Sequence, residues 1–211
     1  MKKGTFISLE GIEGTGKSTQ AKLLFNHLRQ KGFDVALTAE PGGTKIGDKI
    51  REVLLSPDHN EMAPMTELLL YFSSRTQHME ELIMPALKRG AIVVTDRFTD
   101  STIAYQGYGR GIDLGLIHSL DRIATSGFRP DLTLLLDLDV ETGLRRNKGI
   151  NKTDRLELED VEFHERVRDG FLLLAAQESE RIRVIDASAG IEEVHERVIA
   201  AVGRILPGQI P

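Results

Sequence analysis

Cysteine is absent from the 211 residues, which excludes a disulfide framework and any thiolate zinc site. No apolar run approaches the roughly 20 residues that a membrane-spanning helix needs. The start, Met-Lys-Lys-Gly followed at once by a strand-like run, lacks the long apolar stretch and small-residue cleavage site of a secretory signal. Basic residues do not predominate. There are 27 Lys and Arg against 32 Asp and Glu, a net charge of −5, whereas a nucleic-acid binder is usually basic. Long linkers, internal repeats and low-complexity tracts are also missing. His27, His59, His78, His118, His164 and His195 show no metal-ligand spacing and read as surface or boundary residues. These absences are compatible with a cytoplasmic protein, and none points to a nucleic-acid or membrane partner. Its length suits a single α/β domain with a real core over residues 1–211.

The most informative stretch that is present runs Gly11-Ile12-Glu13-Gly14-Thr15-Gly16-Lys17-Ser18. It fits the phosphate-loop pattern and lies between a β-prone run, Thr5-Phe6-Ile7-Ser8-Leu9, and a segment of helical spacing from Thr19 to Leu28. Strand, glycine loop and helix form the context the motif needs. Glycines let backbone N–H groups turn inward around a polyphosphate, and the helix N-terminus adds partial positive charge. Lys17 then reaches the outer phosphates and the Ser18 hydroxyl is a ligand for Mg²⁺. The chain therefore reads as a binder of a nucleoside triphosphate.

Apolar runs at 5–10, 34–38, 91–95, 131–137 and 182–186 alternate with helical stretches. The third and fourth are continuous rather than alternating, as parallel strands buried on both faces are. This predicts an α/β fold: a five-stranded parallel sheet flanked by helices. Gly32, Gly90 and Gly127 fall where a helix gives way to the next strand. The charged segment at about 143–157, with Arg145, Arg146, Lys148 and Arg155, reads either as a solvated connection or as a short arginine-rich lid over phosphates.

Ligands of an open parallel sheet sit at the carboxyl ends of its strands. Asp96-Arg97 follows the third strand, and an Asp there suits Mg²⁺ while an Arg suits a phosphate. Glu40-Pro41-Gly42-Gly43-Thr44 follows the second and allows close approach of backbone to a ligand. Phe72 and Arg75 share a helix face, a base-stacking aromatic beside a cation, although a core Phe and a surface Arg would look the same. Ser101-Thr102-Ile103-Ala104-Tyr105-Gln106-Gly107-Tyr108-Gly109-Arg110-Gly111 offers hydroxyls and an amide for a base edge, or else a glycine-rich loop ending a helix.

Asn151-Lys152-Thr153-Asp154 matches the guanine-reading motif of GTPases. It follows a basic stretch instead of a buried strand, and the chain holds no Asp-x-x-Gly. A kinase whose acceptor is already a phosphate needs cations rather than a strong base, and Lys17, Arg75, Arg97 and the lid arginines suit that task. Two alternatives have distinct signatures. A regulatory NTPase would turn over ATP without an acceptor, and a deoxynucleoside kinase would prefer a neutral hydroxyl.

In this order the clusters resemble the thymidylate kinase family, bacterial type. The matching residues are the loop 11–18, Glu40 to Thr44, Phe72 with Arg75, Asp96-Arg97-Phe98, Ser101 to Gly107, Arg129-Pro130-Asp131-Leu132-Thr133, Asp154-Arg155 and Asp186-Ala187-Ser188. The likeness spans about residues 4 to 205. It implies the P-loop NTPase fold, transfer of the γ-phosphate of ATP to dTMP with Mg²⁺, and a homodimer. It implies that Gly11, Ile12, Glu13, Gly14, Thr15, Gly16, Lys17, Ser18, Thr19 and Arg145 serve ATP, with Ser18 and Asp96 at the metal. Glu13 would lie near the acceptor sugar, and Phe72 would stack on thymine. Arg75 would meet the base, Arg97 the acceptor phosphate, and Tyr105 would crowd the 2′ position. Glu40, Pro41, Ser101, Thr102 and Gln106 would complete the acceptor site. Gly14 stands where some relatives carry an arginine, so Arg155, with Arg145 or Arg146, would supply the transition-state cation beside Lys17 and Arg97. Ala39 replaces the family's usual Arg before Glu-Pro-Gly-Gly-Thr, which implies a weaker hold on the acceptor phosphate or compensation by a neighbour such as Lys45.

Overall fold

The computed structural model describes residues 4–148 and 154–206. Its strands are β1 (Thr5–Glu10), β2 (Val35–Ala39), β3 (Ile92–Asp96), β4 (Leu132–Asp137) and β5 (Ile182–Asp186), all parallel, in the order β2-β3-β1-β4-β5. The central strand is β1, with Leu9 paired to Asp96 of β3 and to Leu134 of β4. That register brings the ends of β1 and β3 side by side, which is where the chemistry gathers.

Burial on both faces explains the apolar runs. Ile7 and Leu9 pack with Leu24 and Leu28 of α1 (Lys17–Gln30) and with Val198 and Val202 of α9 (Ile191–Gly203). Phe6, from the opposite face of the same strand, meets Phe98 and Ile83. Each such fully buried side chain contributes about 1.5–3 kcal/mol of hydrophobic stabilisation. Ser8 and Thr133 interrupt this apolar interior as a satisfied pair. Their hydroxyls meet at 2.9 Å, Thr133 donates on to Asp100 at 2.9 Å, and Arg181 closes on Asp100 at 2.7 Å.

The remaining helices are α2 (Lys45–Leu55), α3 (Pro64–His78), α4 (Met84–Lys88), α5 (Thr99–Thr102), α6 (Leu114–Thr125), α7 (Val140–Lys148) and α8 (Val161–Gln177). Side-chain caps start several of them. Thr44 accepts from Gly47 N, Asp113 from Leu116 N and Asp160 from Phe163 N. Two wide π-helical turns, Met79–Ile83 and Ile103–Gly109, interrupt the regular pitch. The first separates α3, which carries Phe72 and Arg75, from α4. Pro85 lies just beyond it and has no N–H to return to the preceding turn, so the helix widens there. The second lies in the stretch that sequence alone left open as a glycine-rich loop, and that stretch is helical through Gly109.

Candidate functional site

A cleft of about 1290 Å³ opens over the carboxyl ends of the strands. Around it stand Gly14, Gly16, Lys17, Ser18 and Thr19 on one side and Glu40, Pro41, Arg75, Ser101, Thr102, Tyr105 and Gln106 on the other. Glu13, Asp96 and Arg97 lie in the same lining. Among the candidates, Gly11, Ile12, Thr15, Phe72, Arg145 and Arg155 are not part of that lining.

The loop after β1 is built as its glycines require. Gly14 sits at φ 73°, and the carbonyl of Gly143 in α7 occupies the place a Cβ would take. No side chain fits there, which is the physical reason an arginine cannot follow Glu13 in this chain. Gly16 at φ 89° leads into α1. Thr15 and Lys17 both bond the Ile12 carbonyl, Lys17 Nζ at 2.6 Å. Burial, reinforced by the Arg97 charge, lowers the Lys17 ammonium to about 8. A bound polyphosphate would oppose that shift. Ser18 donates its hydroxyl hydrogen to the Asp96 carboxylate. A hydroxyl and a carboxylate adjacent to a phosphate site form an all-oxygen donor set that fits Mg²⁺.

Arg97 has φ 72°, a left-handed conformation that costs a non-glycine residue of order 1 kcal/mol or more. Arg97 N bonds Leu9 O, Thr95 Oγ1 bonds Arg97 O, and Glu10 accepts from Phe98 N, so the neighbours hold the turn. This reversal turns Asp96 toward Ser18 and Arg97 toward the other half of the cleft. The Arg97 guanidinium donates to Gly11 O and Ser101 Oγ, both at 3.0 Å, to Glu13 Oε1 at 2.9 Å and to the Tyr105 hydroxyl at 3.1 Å. It also lies 4.9 Å from the Tyr105 ring centroid. Burial pushes the Glu13 carboxyl up, but His164, Arg97 and Lys17 outweigh it and hold the group ionised, well below the usual carboxylate range. Glu10, fully buried at the end of β1, is pushed up by burial and by the charge of Asp100.

The opposite wall is a network behind Arg75. Glu40 Oε2 accepts from Arg75 Nε at 2.7 Å, and Glu40 Oε1 lies 3.0 Å from His78 Nδ1. His78 Nε2 lies 2.6 Å from Thr38 Oγ1, and Arg75 Nη2 donates to Thr102 at 2.9 Å. Arg75 Nη1 is buried and has no partner among the described residues, a donor left over in a residue of the cleft wall.

Three sequence readings change here. Phe72 is 5% exposed within the core cluster of Leu68, Ile103 and Phe163, and the Arg75 guanidinium lies 5.2 Å from its ring centroid. The aromatic of α3 that lines the cleft is Tyr71, four residues before Arg75. Sequence reasoning missed it although a spacing of four shares a helix face as well as three does. The histidines are not all peripheral. His78 and His164 are fully buried, and His164 Nδ1 lies 3.3 Å from Glu13 Oε2. Both stand on helices whose inner faces the spacing of apolar residues could have marked. Ala39 lines the cleft as expected, but Lys45 is exposed and outside the lining. The cation present there is Arg51, which bonds Pro41 O at 2.8 Å.

The lid arginines separate. Arg146 lines the cleft and bonds the carbonyls of Ala187 and Ser188. Arg145 is exposed and bonds Thr142. Arg155 is 4% exposed and paired with Glu67 at 2.5 Å, away from the phosphate loop. Its Nε donates to Leu54 O at 3.2 Å and its backbone N–H to Leu55 O at 3.1 Å, which holds it against α2, so burial and pairing oppose a phosphate role in this conformation. Residues 149–153, with three residues of the GTPase-like motif and the middle of the expected lid, lie outside the described residues, as does the side chain of Lys148. No helix among the described residues is long and apolar enough to cross a membrane.

The chain matches the family model described as thymidylate kinase over residues 9–198. It is 54% identical to a thymidylate kinase of Exiguobacterium sp., over 93% of this chain and 92% of that protein. It is 51% identical to one from Geotalea daltonii, over 96% and 98%. Among solved structures, that of thymidylate kinase from Ehrlichia chaffeensis superposes with a TM-score of 0.80 at 35% identity, covering 95% of this chain and 99% of that one.

Proposed function

The chain belongs to the thymidylate kinase family, and from that premise we propose how its residues move the γ-phosphate of ATP onto dTMP to give dTDP, a step toward dTTP. It is a phosphotransferase with a phosphate group as acceptor. Two anions must approach each other, and their repulsion at 4 Å is about 4 kcal/mol per pair of unit charges at an effective dielectric of 20. The cleft answers with cations on both sides. Lys17 and the backbone N–H groups of residues 11–19 hold the ATP phosphates. Ser18 and Asp96 would hold Mg²⁺, which would neutralise phosphate charge when bound. Arg97 and Arg51 take the acceptor phosphate, with Arg51 in the part that Ala39 leaves open. Glu13 keeps Arg97 and Tyr105 in register beside the acceptor sugar, and Tyr105 crowds a 2′-hydroxyl. Tyr71 stacks on thymine, while Arg75, Thr102 and Gln106 face its edge and Ser101 supports Arg97. Arg146 of the lid, within a single domain over 1–211, meets the transferring phosphoryl group. Arg155 joins it only by leaving Glu67.

The observation that carries this division is the turn at Asp96-Arg97, where consecutive side chains serve opposite halves of one cleft. A homodimer in the cytoplasm completes the proposal. Its support is the apolar surface left exposed at Met65, Leu69, Leu116 and Ile123 of α3 and α6. The decisive assay offers ATP and Mg²⁺ with dTMP, dUMP, dCMP, UMP or thymidine, and measures ADP and product. Fast turnover with dTMP, less with dUMP and little with the others is expected. Turnover of ATP without an acceptor, or preference for thymidine, would overturn the reading.

A further inference from the structure

Glu67 lies on α3 with no exposed surface and is not part of the cleft wall. Its Oε1 accepts from Gln106 Nε2 at 2.9 Å, and its Oε2 is met by Arg155 Nη2 at 2.5 Å and Arg110 Nη2 at 3.2 Å. Gln106 is 1% exposed and does line the cleft. We infer that Glu67 is a positioning residue for base choice: by taking the amide nitrogen of Gln106 it leaves the amide oxygen for the acceptor, and so favours a pyrimidine whose N3 carries hydrogen. This rests on the reading of Gln106 as a base-facing residue given above.

An ionised carboxylate only accepts hydrogen bonds, so it fixes which end of a neighbouring amide it holds. Burial pushes Glu67 up, but the bonds from Gln106 and Arg110 and the arginine charges lower it below the usual carboxylate value. A reversed Gln106 would set its oxygen against that carboxylate and leave a buried acceptor unpaired. The reversed form is thereby reduced roughly 10–100-fold in population. Thymine and uracil present an N3–H donor, which an amide oxygen accepts. Cytosine presents a bare N3 acceptor, which only the reversed amide would satisfy. Glu67 thus sets the hydrogen-bond sense of a site it does not touch.

The test compares kcat/KM for dTMP and dCMP. In Glu67→Gln the partner becomes an amide that accommodates either orientation of Gln106. The dTMP:dCMP ratio is expected to fall by about tenfold or more, through KM, with kcat for dTMP changed only a few-fold. Gln106→Asn keeps an amide but is one methylene short of Glu67, and should lower the ratio in the same way. This variant decides the matter if loss of the Glu67 charge prevents folding. Gln106→Leu is the control. If it lowers the ratio while Glu67→Gln and Gln106→Asn leave it at the wild-type value, the orienting role is overturned and the base-facing role stands. An equal loss of activity toward both nucleotides marks Glu67 as merely structural and overturns it as well. A wild-type ratio in Gln106→Leu removes the base-facing role of Gln106, and the inference with it.

Discussion

Tyr71 and Phe72 are chain neighbours in different surroundings. Phe72 is enclosed with Leu68, Ile103 and Phe163, and the guanidinium of Arg75 covers its ring. Tyr71 faces the cleft, and burial and the charge of Glu67 raise its hydroxyl well above the ordinary phenol, so it stays neutral there. Phe72→Ala is expected to cost about 3–5 kcal/mol of stability by opening a cavity. Tyr71→Ala should change the melting temperature little and raise the KM for dTMP by about 5–150-fold, the range for losing one base–aromatic stack. Thermal melting and steady-state kinetics on both variants check this, and the opposite pattern would return the stacking role to Phe72. Both assignments come down to which of two adjacent side chains points inward. The sequence marked the helix and the aromatic-plus-arginine pattern, but two aromatics at spacings of three and four left the choice to packing.

Elements place the charges. The register of β1 with β3 sets Asp96 beside the start of the phosphate loop, and the reversal at Arg97 turns the two neighbouring side chains toward different partners, Ser18 and Glu13. The wide turn Ile103–Gly109 carries Tyr105 and Gln106 together into the cleft lining. Such turns recur at functional sites because the extra residue per turn re-aims side chains. In α7, Gly143 presses its backbone on Gly14, which seats the helix against the phosphate loop and leaves Arg146, not Arg145, in the cleft wall. Arg146→Ala should lower kcat by roughly 10³-fold at saturating ATP and dTMP, as removal of a transition-state arginine does in related phosphoryl transfers. Arg145→Ala should remain within a few-fold of wild type. Comparable losses in the two variants would contradict the assignment. The arginine-rich composition of this helix was evident in the sequence, but its rotation about its own axis was not.

At the scale of the whole molecule, α2, α3 and α6 lie side by side and leave apolar side chains exposed, with Val53 at 41%, Met65 at 43%, Leu69 at 46% and Ile123 at 78%. Isolated exposed apolar residues are ordinary, whereas several on adjoining helices are what supports the proposed homodimer. Sedimentation of the intact protein is expected to give a species of twice 23.4 kDa, and Leu69→Asp should shift it toward the monomer. A single species at the monomer mass for the unaltered protein would remove the dimer.

The amino-acid sequence by itself determined whatever depends on neighbours along the chain. The loop from Gly11 to Ser18 carries its own instructions, because spacing and φ > 0 positions are properties of a few consecutive residues. The five strands were legible for the same reason, since β1, β3 and β4 are buried on both faces and leave continuous apolar runs, and the limits of the five shift by no more than a residue. Tertiary structure decided what depends on residues far apart. Glu67 meets Gln106 across 39 positions, and Arg97 meets Glu13 across 84. His164 reaches Glu13 from α8, and Arg155 is withdrawn to Glu67. Residue type and local spacing state that a carboxylate, an amide and several arginines are available. The sheet order and the rotation of each helix about its axis fix which of them meet in the interior, where a buried charge must be paired.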